Sequence, residues 1–90
     1  MSHKCVKALI KGMVQGVGFR FHTAHQGLKL GLSGYAKNLP DGTVEVLACG
    51  EEEQVDALMV WLEDGPKTSR VDALVVEDVE WRHIDGFEIM

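Results

Sequence analysis

Two glycines and an arginine stand together in Val14-Gln15-Gly16-Val17-Gly18-Phe19-Arg20, where a strand-like run gives way to a helix-like one. Gly16 and Gly18 let the backbone turn tightly and leave its N–H groups uncovered by side chains. Arg20 adds a permanent positive charge whose planar fork of donors suits a phosphoryl group. A helix starting near Arg20 would set the positive end of its dipole at the same corner. The stretch predicts an anion cradle, although the two glycines alone would suit a plain turn equally well. Further along, Gly34-Tyr35-Ala36-Lys37-Asn38 precedes a turn. Asn38 stands beside that turn, where an asparagine usually caps local backbone.

Alternating elements must bring these groups together. Residues 4–11 alternate as a strand, with Val6, Ala8 and Ile10 on one face and Cys5, Lys7, Leu9 and Lys11 on the other. Residues 20–30 fit a helix with Phe21, Ala24 and Leu28 at helical spacing, ended by Gly31 and weakened by Gly27. Strands are predicted at 32–38 and 43–49 around Leu39-Pro40-Asp41-Gly42, whose Pro-Asp-Gly chemistry suits a type I turn. In the second of these, Val44, Val46 and Ala48 face one way and Thr43, Glu45, Leu47 and Cys49 the other. The helix at 51–64 is the clearest element, with Val55, Leu58, Met59 and Leu62 on one side and Glu51, Glu52 and Glu53 at its positive end. Gly65-Pro66 stops it, 71–81 reads as another strand, and Phe87-Glu88-Ile89 suggests a short last one. The order is β-α-β-β-α-β, the ferredoxin-like α+β sandwich: an antiparallel sheet with two helices on one face. The first strand then lies beside the third, so the loop after it can face the end of the second, where Asn38 stands.

Composition narrows the class. Ninety residues make one domain, 1–90, and 46% hydrophobic with 26% charged residues is ordinary for a globular protein. A net charge of −5 repels nucleic acid and acidic membranes. The start, Met1-Ser2-His3-Lys4, runs straight into a strand pattern with no signal-peptide core, and no apolar run is long enough to span a bilayer. A soluble cytoplasmic protein, most simply a monomer, is expected.

With both motifs in view, the chain resembles the acylphosphatases over essentially its whole length. VQGVGFR at 14–20 is similar to that family's phosphate-loop signature, and GYAKN at 34–38 with Gly42, Val44 and Gly50 to its second. The tail, Phe87-Glu88-Ile89-Met90, lacks the basic residue that many members place after this Phe-x-Ile. The resemblance implies hydrolysis of an acyl phosphate to a carboxylate and inorganic phosphate, with no metal and no cofactor. On this sequence it implies that Arg20 and the backbone N–H groups of Gln15, Gly16, Val17, Gly18, Phe19 and Arg20 hold the phosphoryl group. It makes Asn38 the residue that positions the attacking water. A carboxylate leaves easily, so such a site needs positioning and charge rather than a strong general acid. No His, Asp or Glu of the motifs suits a general base, which points to a phosphate oxygen as the proton acceptor. The alternative is a non-catalytic phosphate or carbamoyl-phosphate binding module, which the complete motifs and the length disfavour. An RNA-binding module would need aromatic, basic central strands, and Val44-Glu45-Val46-Leu47 is neither.

His22 and His25 could be read as a metal pair, but solvent-facing helix positions fit them better. His3 and His83 carry no signal, Trp61 and Trp81 read as packing or partly exposed residues, and the Glu51–Glu53 run reads as a helix start. There is no C-x-x-C. Cys5 and Cys49 sit on strands expected to be antiparallel neighbours, both on the non-helical face, close enough for a disulfide if the register sets them opposite each other. Two reduced thiols in a reducing cytosol are the other reading.

Overall fold

The computed structural model describes residues 2–90. Its elements are β1 (His3–Met13), α1 (Phe19–Lys29), β2 (Ser33–Asn38), β3 (Val44–Glu51), α2 (Glu52–Asp64), β4 (Arg70–Val79) and β5 (Phe87–Ile89). The sheet order is β4-β1-β3-β2-β5. The expected ferredoxin-like arrangement is therefore present. One refinement concerns the last strand, which runs parallel to β2 and makes an otherwise antiparallel sheet mixed.

Alternation along β1 and β3 divides the interior as the sequence suggests. Val6, Ala8 and Ile10 of β1 and Val44, Val46 and Ala48 of β3 face the helices in the main core. Val55, Leu58 and Leu62 of α2 close over them, each fully buried and contributing about 1.5–3 kcal/mol. On the opposite face Cys5, Leu47 and Cys49 form a second small cluster, covered by Tyr35, Val79 and Ile84. Ile84 belongs to the segment joining β4 at one edge to β5 at the other, so that segment lies over the non-helical face.

Helix α1 departs from the expected orientation. Phe21 and Leu28 are exposed, while Phe19, Thr23, Ala24 and Gly27 face inward. The cause is the approach of β5: the Phe87 ring lies against Gly27, where a Cβ would come within 2.5 Å of its edge. The glycine that weakens the helix pattern is the space that admits the last strand. Gly31 has φ +76° and follows the last helical turn, as a helix-ending glycine should. The Pro40-Asp41 turn forms as expected, with the Gly42 N–H donating to the Leu39 carbonyl at 3.1 Å.

In register, Cys5 stands opposite Cys49, with Cα atoms 4.1 Å apart, and the two are joined in a disulfide. Of the two readings of the cysteines, the geometry is that of the bonded pair.

Candidate functional site

The loop between β1 and α1 is stretched between two buried anchors, Val14 and Phe19, each 1% exposed. Between them the chain has little choice but to arch outward, and Gly16 and Gly18 supply the bend, with φ +76° and +77°. Gly18 is the N-cap of α1 and offers no side chain to cap it, and no acidic residue occupies the first turn. Among the described residues, no protein acceptor meets the backbone N–H groups of residues 15–21. A helix N-terminus with open donors and a neighbouring guanidinium is suited to an anion by charge and by hydrogen-bond geometry.

Arg20 and Asn38 meet at one atom. The Arg20 Nη1 donates to the Met90 backbone oxygen at 2.8 Å, and the Asn38 N–H donates to the same oxygen at 3.2 Å. Met90 is itself held by its N–H, which donates to the Ala36 carbonyl at 2.8 Å. The tail therefore pairs through its backbone and needs no basic side chain after Phe-x-Ile to do so. A guanidinium has five N–H donors, so the bond to Met90 leaves four for a ligand. The Asn38 Oδ1 is buried and has no protein partner. An acceptor left open at such a place costs free energy unless something outside the protein donates to it.

Gln15 does more than lend its N–H. Its Nε2 donates to the carbonyls of Leu39 at 2.9 Å and Thr43 at 2.8 Å, fastening the loop to the hairpin that carries Asn38. The hairpin is stiffened in turn by Asp41, whose Oδ1 accepts from the Thr43 hydroxyl at 2.6 Å and the Thr43 N–H at 3.0 Å. Those two bonds, the hydroxyl first, hold the Asp41 carboxyl below its ordinary pKa. It is already committed to the turn. Thr68, in the turn after α2, donates through Oγ1 to the Val17 carbonyl at 2.9 Å. Sequence reasoning missed Gln15 as a latch, Met90 as a shared acceptor and Thr68 altogether. Each of these contacts ends on a backbone oxygen distant in sequence, and no local pattern encodes it.

The remaining candidates lie elsewhere. His22 and His25 are exposed on α1, and among the described residues no three His, Cys, Asp or Glu side chains gather as metal ligands. Trp61 is partly buried against the core, whereas Trp81 is half exposed and packs edge-on against His3 with centroids 5.6 Å apart. Among the described residues, no helix is long and apolar enough to cross a membrane.

The model of one family, Acylphosphatase, matches residues 6–89. A Photobacterium profundum protein named acylphosphatase is 73% identical over 89 residues, covering 99% of each chain. A Vibrio parahaemolyticus protein of the same name is 53% identical over 90 residues, covering all of each. Among solved structures, an acylphosphatase from Coxiella burnetii superposes with a TM-score of 0.94 at 33% identity, over 98% of this chain and 93% of that one.

Proposed function

This chain belongs to the acylphosphatase family and hydrolyses acyl phosphates, and we propose that Arg20 and Asn38 carry out that reaction without a metal ion. The observation that carries the assignment is the Met90 oxygen shared by the Arg20 guanidinium and the Asn38 N–H. It supports the reading by tying the Arg20 guanidinium and the backbone of Asn38 to one oxygen beside the end of β2.

The phosphoryl oxygens sit in the arch of residues 15–20, taking N–H donors from the backbone and the free donors of Arg20. These dipoles and the guanidinium are in place before the substrate arrives, so no reorganisation is needed as charge shifts in the transition state. Asn38 accepts one water hydrogen at Oδ1, which turns a water lone pair toward phosphorus. The water oxygen then bonds to phosphorus as the bond to the acyl oxygen breaks, and the carboxylate leaves with the electron pair. The water proton passes to a phosphoryl oxygen. Because a carboxylate is a weak base, the departing oxygen requires no proton. Phosphoryl transfer of this kind rests on positioning and electrostatics, which the loop, Arg20 and Asn38 supply.

Hydrolysis of benzoyl phosphate in the presence of a chelator tests the reading. Arg20→Ala and Asn38→Ala should each lower kcat/KM by roughly 10²- to 10³-fold with the far-UV spectrum unchanged. Arg20→Lys should also be poor, since an ammonium cannot reproduce the fork. Near-normal turnover in either alanine variant overturns the assignment of that residue. Loss of activity on chelation overturns metal independence. A folded wild-type chain that binds phosphate but turns nothing over would instead be a binding module.

A further inference from the structure

We propose that Thr68 is a positioning residue for the phosphate loop, a role that rests on the reading of residues 15–20 as the cradle. Thr68 lies outside both motifs, in the turn between α2 and β4, and its Oγ1 donates to the Val17 carbonyl across 51 residues of sequence. The turn is a rigid base for that reach. The Ser69 N–H and hydroxyl both donate to the Pro66 carbonyl, at 3.0 and 2.7 Å, and the Gly65 N–H donates to the Trp61 carbonyl at 2.9 Å. Gly65 also abuts the ring of Phe19, the loop's buried anchor, where a Cβ would come within 3.3 Å. The turn is thus seated against the point where the loop enters α1.

The consequence for the cradle follows from the peptide unit. The described residues contain no cis bond, and in a trans peptide the carbonyl and the next N–H point in opposite directions. Holding the Val17 carbonyl toward Thr68 therefore aims the Gly18 N–H the other way, and that N–H has no acceptor in the protein. Gly18 tolerates several backbone conformations, so the 17–18 peptide could otherwise rotate and present its carbonyl to the phosphate. The hydroxyl selects the donating orientation. Thr68 is exposed, so its bond contributes little to global stability, and its effect falls on ligand binding.

Competitive inhibition by inorganic phosphate against benzoyl phosphate, with thermal unfolding alongside, tests the role. Thr68→Val should raise the phosphate inhibition constant and KM together by roughly three- to ten-fold, the scale of one hydrogen bond, with little change in Tm. Thr68→Ala should do the same, and Thr68→Ser, which keeps the hydroxyl, should return both constants to within about two-fold of wild type. Unchanged inhibition constants in the folded Val and Ala variants overturn the role, as does a Ser variant as poor as Val. Arg20→Ala is measured in parallel. If it is inactive while Thr68→Val binds phosphate normally, only the Thr68 role falls. If Arg20→Ala hydrolyses normally, the cradle itself is wrong and the Thr68 role falls with it.

Discussion

Gln15 shows how a single side chain can decide the geometry of a site it does not enter. Its amide nitrogen faces two carbonyl oxygens, Leu39 and Thr43, each of which keeps another donor, the Gly42 and Leu39 N–H groups. Gln15→Glu would therefore aim carboxylate oxygens at two other acceptors and place a negative charge beside the proposed phosphate cradle. It should cost about 1–3 kcal/mol of stability and lower kcat/KM. Gln15→Leu should cost less, because both carbonyls stay bonded. Urea midpoints and turnover for the two variants check this, and a Glu variant as stable as wild type refutes it. Tyr35 offers a second test. It is the chain's one tyrosine, so its titration is seen without interference. Burial, and then its 2.6 Å hydrogen bond to the Glu45 carboxylate, push its pKa from 10.0 up to about 12. Since the folded value is the higher, the stabilisation is complete below pH 10 and is lost as pH rises toward 12. Ultraviolet titration should give the raised value, and Tyr35→Phe should flatten stability over that window. An ordinary midpoint near 10 would contradict it. At this scale Arg20 stood out as a candidate anion ligand by residue type and position beside two glycines, while Asn38 was singled out only through the family resemblance. The latches were not legible, since Gln15, Thr68 and Met90 act through backbone atoms that every residue shares.

At the scale of elements, the strands were readable because β1 and β3 alternate cleanly and each buries one face against the helices. The orientation of α1 was not. Phe21, Ala24 and Leu28 form an apolar stripe, yet the inward face is Phe19, Thr23, Ala24 and Gly27. Two things hid it: Phe19 opens the helix one residue before the expected start, and glycine adds nothing to a hydrophobic pattern. The pairing of β5 with β2 explains the glycine, and it ties α1 to the site. Phe87 begins β5 against Gly27, and Met90, just beyond the end of β5, holds Arg20 and Asn38. In an isolated helix Gly27→Ala would gain up to about 1 kcal/mol of helix propensity. Here the added Cβ meets the Phe87 ring at 2.5 Å, and overpacking costs typically 1–3 kcal/mol, so the clash wins. The variant should be less stable than wild type and should also lose kcat/KM, because displacement of Phe87 shifts the strand that holds the two site residues. Thermal unfolding and benzoyl phosphate turnover decide it. A raised Tm would show that β5 yields freely and that the strand does not brace the site.

The molecule as a whole separates what stabilises it from what does its chemistry. The disulfide joins β1 to β3 across 44 residues of chain, on the sheet face away from the helices. Cys5 is nine residues before Val14, roughly 30 Å along an extended strand from the phosphate loop. Its existence was legible in part: strand order and alternation put both cysteines on one face, but only the register, Cys5 opposite Cys49, makes them meet. A crosslink closing a loop of that length restricts the unfolded chain by roughly 4 kcal/mol on the chain-entropy account, with about 2–4 kcal/mol typical of measured bonds. That is a large share of the stability of a small domain. Strands β1 and β3 are also paired by a backbone ladder of eight residue pairs, from His3 opposite Glu51 to Ile10 opposite Val44. Reduction, or the double substitution Cys5→Ser and Cys49→Ser, should therefore lower the urea midpoint markedly while leaving kcat/KM within about two-fold at temperatures where the chain stays folded. A thiol count on the unfolded, unreduced protein comes first, and two free thiols per chain would remove the premise. If the bond is present and its loss spares stability but cuts turnover, the separation is wrong. The segment carrying Ile84 from the disulfide face to β5 would then be the path by which that face reaches Arg20 and Asn38.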